Sequence, residues 1–127
     1  MKYLIDTNAL IWFLNGDETI SKSALAKIKN ESNACYVSIA SIWEIAIKCN
    51  IGKLELKISF DRIAPVLYRN DLAILPIEFY HLQTLLTLEL HHRDPFDRVI
   101  IAQGIAQNLT ILTSDKEFKK YPVKCLW

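Results

Sequence analysis

Four short apolar runs set the frame for this chain: Tyr3-Leu4-Ile5, Cys35-Tyr36-Val37-Ser38, Leu72 to Leu75 and Leu109 to Thr113. They are brief, bounded by polar or turn-forming residues, and include aromatic and β-branched side chains, which marks them as buried strands. Helical stretches, not tight turns, lie between them. Strands joined through helices pair in parallel, with helices covering both faces of the sheet.

The connecting segments carry their own start and stop signals. Ala9 to Leu14 is helical and closes at Asn15-Gly16. Ser21 caps a helix to about Asn30, with Leu25 and Ile28 facing inward. A long helix is expected from Ser41 to near Gly52, a residue suited to the left-handed position past a helix end. Pro65 requires the helix over Phe60 to Asn70 to kink or to start late. Phe79 to Leu90 reads as a helix with Leu82, Leu85, Leu86 and Leu90 on one side. Asp94-Pro95 starts another, running to about Gln107. Ser114 and Glu117 form a capping box for a short helix, and Val123 to Leu126 reads as an edge strand. The expectation is an α/β fold: a single domain over 1–127, with a parallel sheet of about four to five strands flanked by helices on both faces.

Bulk properties narrow the class. The 127 residues are 51% hydrophobic and 23% charged, which excludes a disordered chain. The formal net charge of +1 is no nucleic-acid signature, but a site built of acids would cancel a basic rim in the total. Cys35, Cys49 and Cys125 form no CxxC pair, so they read as buried reduced thiols and not as zinc ligands or a disulfide framework. The start, Met1-Lys2-Tyr3-Leu4-Ile5-Asp6, is not that of a signal peptide, and no apolar run is long enough to span a bilayer. A cytoplasmic protein is expected.

The acids fall at informative places. Asp6 directly follows the first strand, and Asp115 follows the Leu109–Thr113 strand in the same way. Glu44 lies early in the helix after the second strand, within mostly apolar Ile42-Trp43-Glu44-Ile45-Ala46-Ile47. Asp97 lies in the first turn after Asp94-Pro95. In a parallel sheet, strand ends and the helix starts that follow share one edge, where ligands bind. Taken singly, each acid has an ordinary reading: Asp6 as a cap, Glu44 paired with Lys48, Asp97 and Asp115 as helix-start charges. One shared edge explains all four together. Clustered carboxylates repel, and a hard divalent cation such as Mg²⁺ or Mn²⁺ relieves the conflict.

At these residues the chain resembles PIN-domain nucleases, specifically the VapC toxins of bacterial toxin–antitoxin pairs. The matching pieces are Leu4-Ile5-Asp6-Thr7-Asn8, Ser41-Ile42-Trp43-Glu44-Ile45-Ala46-Ile47-Lys48, Asp94-Pro95-Phe96-Asp97-Arg98 before Ile100-Ile101-Ala102-Gln103, and Leu112-Thr113-Ser114-Asp115 with Phe118 after it. They occur in family order over nearly the whole chain. The resemblance implies a PIN fold, Mg²⁺- or Mn²⁺-dependent RNA cleavage, a homodimer and a small antitoxin that blocks the site. It aligns Asp6, Glu44 and Asp97 with the family's three central acids and Asp115 with a fourth, variable one.

The expected roles follow. Asp6 and Asp97 contact the metal, while Glu44 and Asp115 act through water. Asn8 and Thr7 either hydrogen-bond Asp6 or only start a helix. Thr113 and Ser114 support Asp97 or Asp115, with capping the commoner use of Ser114. Arg98 and Lys48 contact phosphate or make structural ion pairs. Asp94 reads as an N-cap. His91 and His92 precede it without a partner motif, so no role is assigned to them. Lys116, Lys119 and Lys120 form a basic cluster, and Trp12, Trp43 and Trp127 read as core or interface residues. Two rivals remain: a PIN-like protein that binds RNA or a partner without cutting, and an aspartyl-nucleophile phosphatase, which the Asn at position 8 disfavours because a second acid is missing there.

Overall fold

Alternation along the first strand decides how the molecule is layered. In the computed structural model, which describes residues 1–127, β1 (Lys2–Ile5) places Tyr3 and Ile5 in one core cluster and Leu4 in another, so both faces of the sheet are covered. Four more strands complete a wholly parallel sheet: β2 (Ala34–Ser38), β3 (Leu72–Leu75), β4 (Thr110–Leu112) and β5 (Cys125–Leu126), in the order β3-β2-β1-β4-β5.

Six helices connect them: α1 (Thr7–Asn15), α2 (Lys22–Lys29), α3 (Ile39–Asn50), α4 (Ile63–Arg69), α5 (Phe79–Leu86) and α6 (Pro95–Ala106). The core on one face draws on α1, α2 and α4, with Ile45 of α3; Ile100 and Ile101 of α6 fill the other with Phe118 and Tyr121. The α/β expectation holds. No helix is long and apolar enough to cross a membrane.

Several boundaries differ from the sequence reading, each for a local reason. α3 begins at Ile39, not Ser41: Ser38 caps it, its hydroxyl accepting from the Ala40 N–H. Pro65 falls in the first turn of α4, where its missing N–H costs nothing, and the chain from Phe60 to Arg62 is a 3-10 turn. α5 stops at Leu86, and Leu82, Leu86 and Leu90 are exposed; its buried residue is His81, which accepts from the Glu78 N–H and meets Gln107 Oε1 through its other nitrogen. Asp115, not Ser114, caps the 3-10 turn Lys116–Lys120 by accepting from the Glu117 N–H. Of the cysteines, all free, only Cys35 is fully buried. Gly52 is left-handed as expected, at φ 73.

Gly104 lets α6 lie close on β4. A Cβ there would come within 3.0 Å of Ile111 Cδ1 and 3.1 Å of Val123 Cγ2. Ile111 is fully buried and has nowhere to retreat. Gly104→Val is therefore expected to cost about 3 kcal/mol, the upper range for overpacking a core, read as a lower urea midpoint with an unchanged m-value.

Candidate active site

The strand order reverses direction between β1 and β4, the place where the carboxyl edge of a parallel sheet offers a binding crevice. Asp6 and Thr113 sit on its two lips. Asp6 is 3% exposed and caps α1, its Oδ1 accepting from the Ala9 N–H at 2.8 Å. Its Oδ2 accepts from the Thr113 hydroxyl across the crevice. Thr113 Oγ1 in turn accepts from the Asp115 N–H at 3.0 Å. One hydroxyl thus ties the ends of β1 and β4 together and sets the placement of both acids.

Glu44 points inward from α3 and is 6% exposed. Lys48 Nζ lies 2.9 Å from its Oε2, one helical turn on. Glu44 Oε1 is buried and has no hydrogen-bond partner. Such a group is costly unless something positive meets it. Asp97 stands at the third position of α6, whose cap, Asp94, accepts from the Phe96 and Asp97 N–H groups. Asp97 Oδ2 lies 3.2 Å from His92 Nε2.

The electrostatics record how near these acids are to one another. Burial first, then the charges of Asp115 and Glu44, push the Asp6 carboxyl up to about 6 against the lowering hydrogen bonds from Thr113 and Ala9. Asp97 is pushed up to about 7 by burial, by Asp94, and by Asp115 and Glu44, with the His92 contact opposing. Asp6, Glu44, Asp97 and Asp115 therefore share one neighbourhood. No three acidic or imidazole side chains are gathered tightly enough to ligate a single ion as they stand. The donor set still suits a hard cation that keeps several waters and takes only one or two carboxylates directly, and Glu44 Oε1 is an unused acceptor beside it.

Other expected residues fall elsewhere. Asn8 is exposed and makes no hydrogen bond to Asp6; Thr7 is buried and donates to Ser41 Oγ at 2.9 Å. Ser114 is exposed. Arg98 donates to the Glu89 carbonyl and to Tyr121 Oη, a structural use, and Lys48 has the ion pair with Glu44. Lys120 pairs with Glu117, leaving Lys116 and Lys119 exposed at this edge. His92 and Tyr121 were not legible as site residues, because the signal lies in a contact between residues far apart in sequence. A groove of about 520 Å³ lined by Trp12, Phe13, Ile20 and Leu25 lies between α1 and α2, apart from these acids.

Residues 3–124 match the model of the PIN domain family. The chain belongs to the PIN domain family. PIN domains are in general nucleases. Among solved structures of this PIN fold, the chain is similar to VapBC2 from Rickettsia felis bound to a DNA fragment from their promoter, at 18% identity and a TM-score of 0.75, with 99% of this chain and 98% of that one covered. DNA-bound VapBC from Salmonella typhimurium follows at 17% and 0.69, covering 99% and 97%. FitAcB from Neisseria gonorrhoeae gives 17% and 0.68, covering 98% and 96%. Curated proteins provide no match to the sequence.

Proposed function

We propose that this PIN domain is a metal-dependent endoribonuclease and the toxin of a type II toxin–antitoxin module, acting in the cytoplasm as a single domain. The observation that carries the reading is the cluster of buried Asp6 and Glu44 with half-buried Asp97 and Asp115, in which two carboxyls are raised into the neutral range and one buried oxygen is unpartnered. A cluster so strained is worth its cost to the fold only where it binds something positive. The toxin role is supported by likeness to chains solved in VapBC and FitAcB assemblies.

In this reading Asp6 and Asp97 hold Mg²⁺ or Mn²⁺, and Glu44 and Asp115 hold or orient water. When bound, the cation supplies a water of lowered pKa and polarises the phosphodiester. The chain's own part is to aim and to shield. Thr113 fixes Asp6 and, through the Asp115 N–H, the fourth acid. Lys48 holds Glu44 by one oxygen and leaves the other to the site. Lys116 and Lys119 offer positive charge to the RNA backbone at the same edge.

A homodimer and a small antitoxin complete the proposal. α3 supports the first: Ile39, Trp43 and Ile47, with Ile51 just past its end, are all exposed at four-residue spacing, an apolar stripe winding along the helix. Purified protein with Mn²⁺ should cut RNA and stop on chelation. Binding of RNA without cleavage would leave the non-cutting reading in its place, and a covalent phosphate on Asp6 would favour a phosphatase.

A further inference from the structure

Tyr121 is buried at 4% exposure, yet its hydroxyl is crowded. The His92 backbone N–H donates to Oη at 3.2 Å, and Arg98 Nη1 donates to it at 3.0 Å. Both groups are donors only, so they fill the two acceptor positions of the phenol oxygen. The Tyr121 O–H must then donate, and His92 Nδ1 stands 2.7 Å from it. Nδ1 is thereby an acceptor, and the neutral ring carries its proton on Nε2. That nitrogen is the one 3.2 Å from Asp97 Oδ2. The tautomer is fixed by hydrogen-bond accounting alone.

We infer that His92 is a positioning residue for Asp97: Tyr121 and Arg98 lock the imidazole so that Nε2–H holds Oδ2 and leaves Oδ1 to the site. The inference rests on the nuclease reading and adds to it a residue that the four-acid set does not contain. Groups that orient a metal ligand through one of its oxygens fix its rotamer, and their loss typically weakens metal affinity by about 10–100-fold. Edge contacts of His91 and His92 with the Tyr121 ring, at 4.8 and 5.5 Å between centroids, brace the same array.

The test is Mn²⁺ affinity of the purified protein with no RNA present, for wild type, His92→Leu, His92→Gln, Tyr121→Phe and Asp97→Asn. His92→Leu should weaken binding by about 10–100-fold. His92→Gln, whose amide nitrogen reaches the place of Nε2, should recover most of that loss. Ring ¹⁵N spectra should show the wild-type imidazole protonated on Nε2, and Tyr121→Phe should release that preference. Wild-type affinity in His92→Leu beside a weakened Asp97→Asn overturns the inference and spares the nuclease reading. Proton on Nδ1 in the wild type, or a Gln variant as weak as Leu, also overturns it. If Asp97→Asn itself binds Mn²⁺ normally, the reading of the site falls first and this inference with it.

Discussion

Asp97→Asn should slow RNA cleavage by roughly 10²–10³-fold, the cost of removing one group that organises transition-state charge, while leaving the protein folded and, at neutral pH without metal, more stable than wild type. The two halves come from the same geometry. Asp97 sits 17% exposed among three other acids, so its charge is paid for by the fold. Asn keeps the size and an acceptor for His92 but removes the repulsion. Glu44→Gln and Asp6→Asn should show the same pattern in activity. Asp6→Asn retains an oxygen for the Ala9 N–H and so keeps α1 capped, whereas Asp6→Ala should lose about 1 kcal/mol with the cap. Single-turnover cleavage of a defined RNA together with thermal melts of each variant checks both halves. Near-normal cleavage by two of the three isosteric variants would remove the basis for the mechanism.

In the absence of metal the protein should lose stability as pH rises from about 4 to about 7. Asp6 and Asp97 have folded-state values of about 6 and about 7 against an ordinary value of 3.8. A group whose value is raised by folding binds its proton more tightly in the folded state. Its contribution is complete below the ordinary value and is lost as pH climbs through the raised one. Partly screened by solvent, the two together should account for on the order of 3 kcal/mol. A divalent ion binds only the folded cluster and should flatten the profile, adding about 2.7 kcal/mol at a hundredfold excess over its dissociation constant. Melting temperatures with chelator and with Mn²⁺ across this range, for wild type and Asp97→Asn, give the comparison. A melting temperature in chelator that is flat, or that rises toward neutrality and does so equally in Asp97→Asn, would contradict the raised values.

The sheet was readable in the sequence because each strand is a short apolar run between helices, and parallel pairing buries both of its faces. The placement of the acids was readable for a related reason: Asp6 comes directly after β1 and Asp115 three residues after β4, two strands that lie side by side, so the polypeptide's own order puts both acids at one edge. What remained hidden depends on partners remote in sequence. α3 starts at Ile39 and not at Ser41 because Ser38 caps it directly at the end of β2, which leaves Ser41 inside the helix to receive the Thr7 hydroxyl. α5 looked like a helix with a leucine face, yet the core took His81, whose ring closes a backbone cap on one side and reaches Gln107 on the other. No periodicity reports such a contact. The same holds for Tyr121, whose hydroxyl becomes informative only once His92 and Arg98 are seen to reach it.

Trp43 and Glu44 are adjacent on α3, one 59% exposed and the other buried with the acids. The Trp43 ring also meets Phe96 edge-on at 5.1 Å, and Phe96 is bonded to Asp97. Whatever protein seats itself on that indole leans directly on the turn that carries an acid. If the proposed dimer forms through that indole, cleavage should depend on protein concentration, and a rate measured on dilute protein would differ from the rate at the crowding found in a cell.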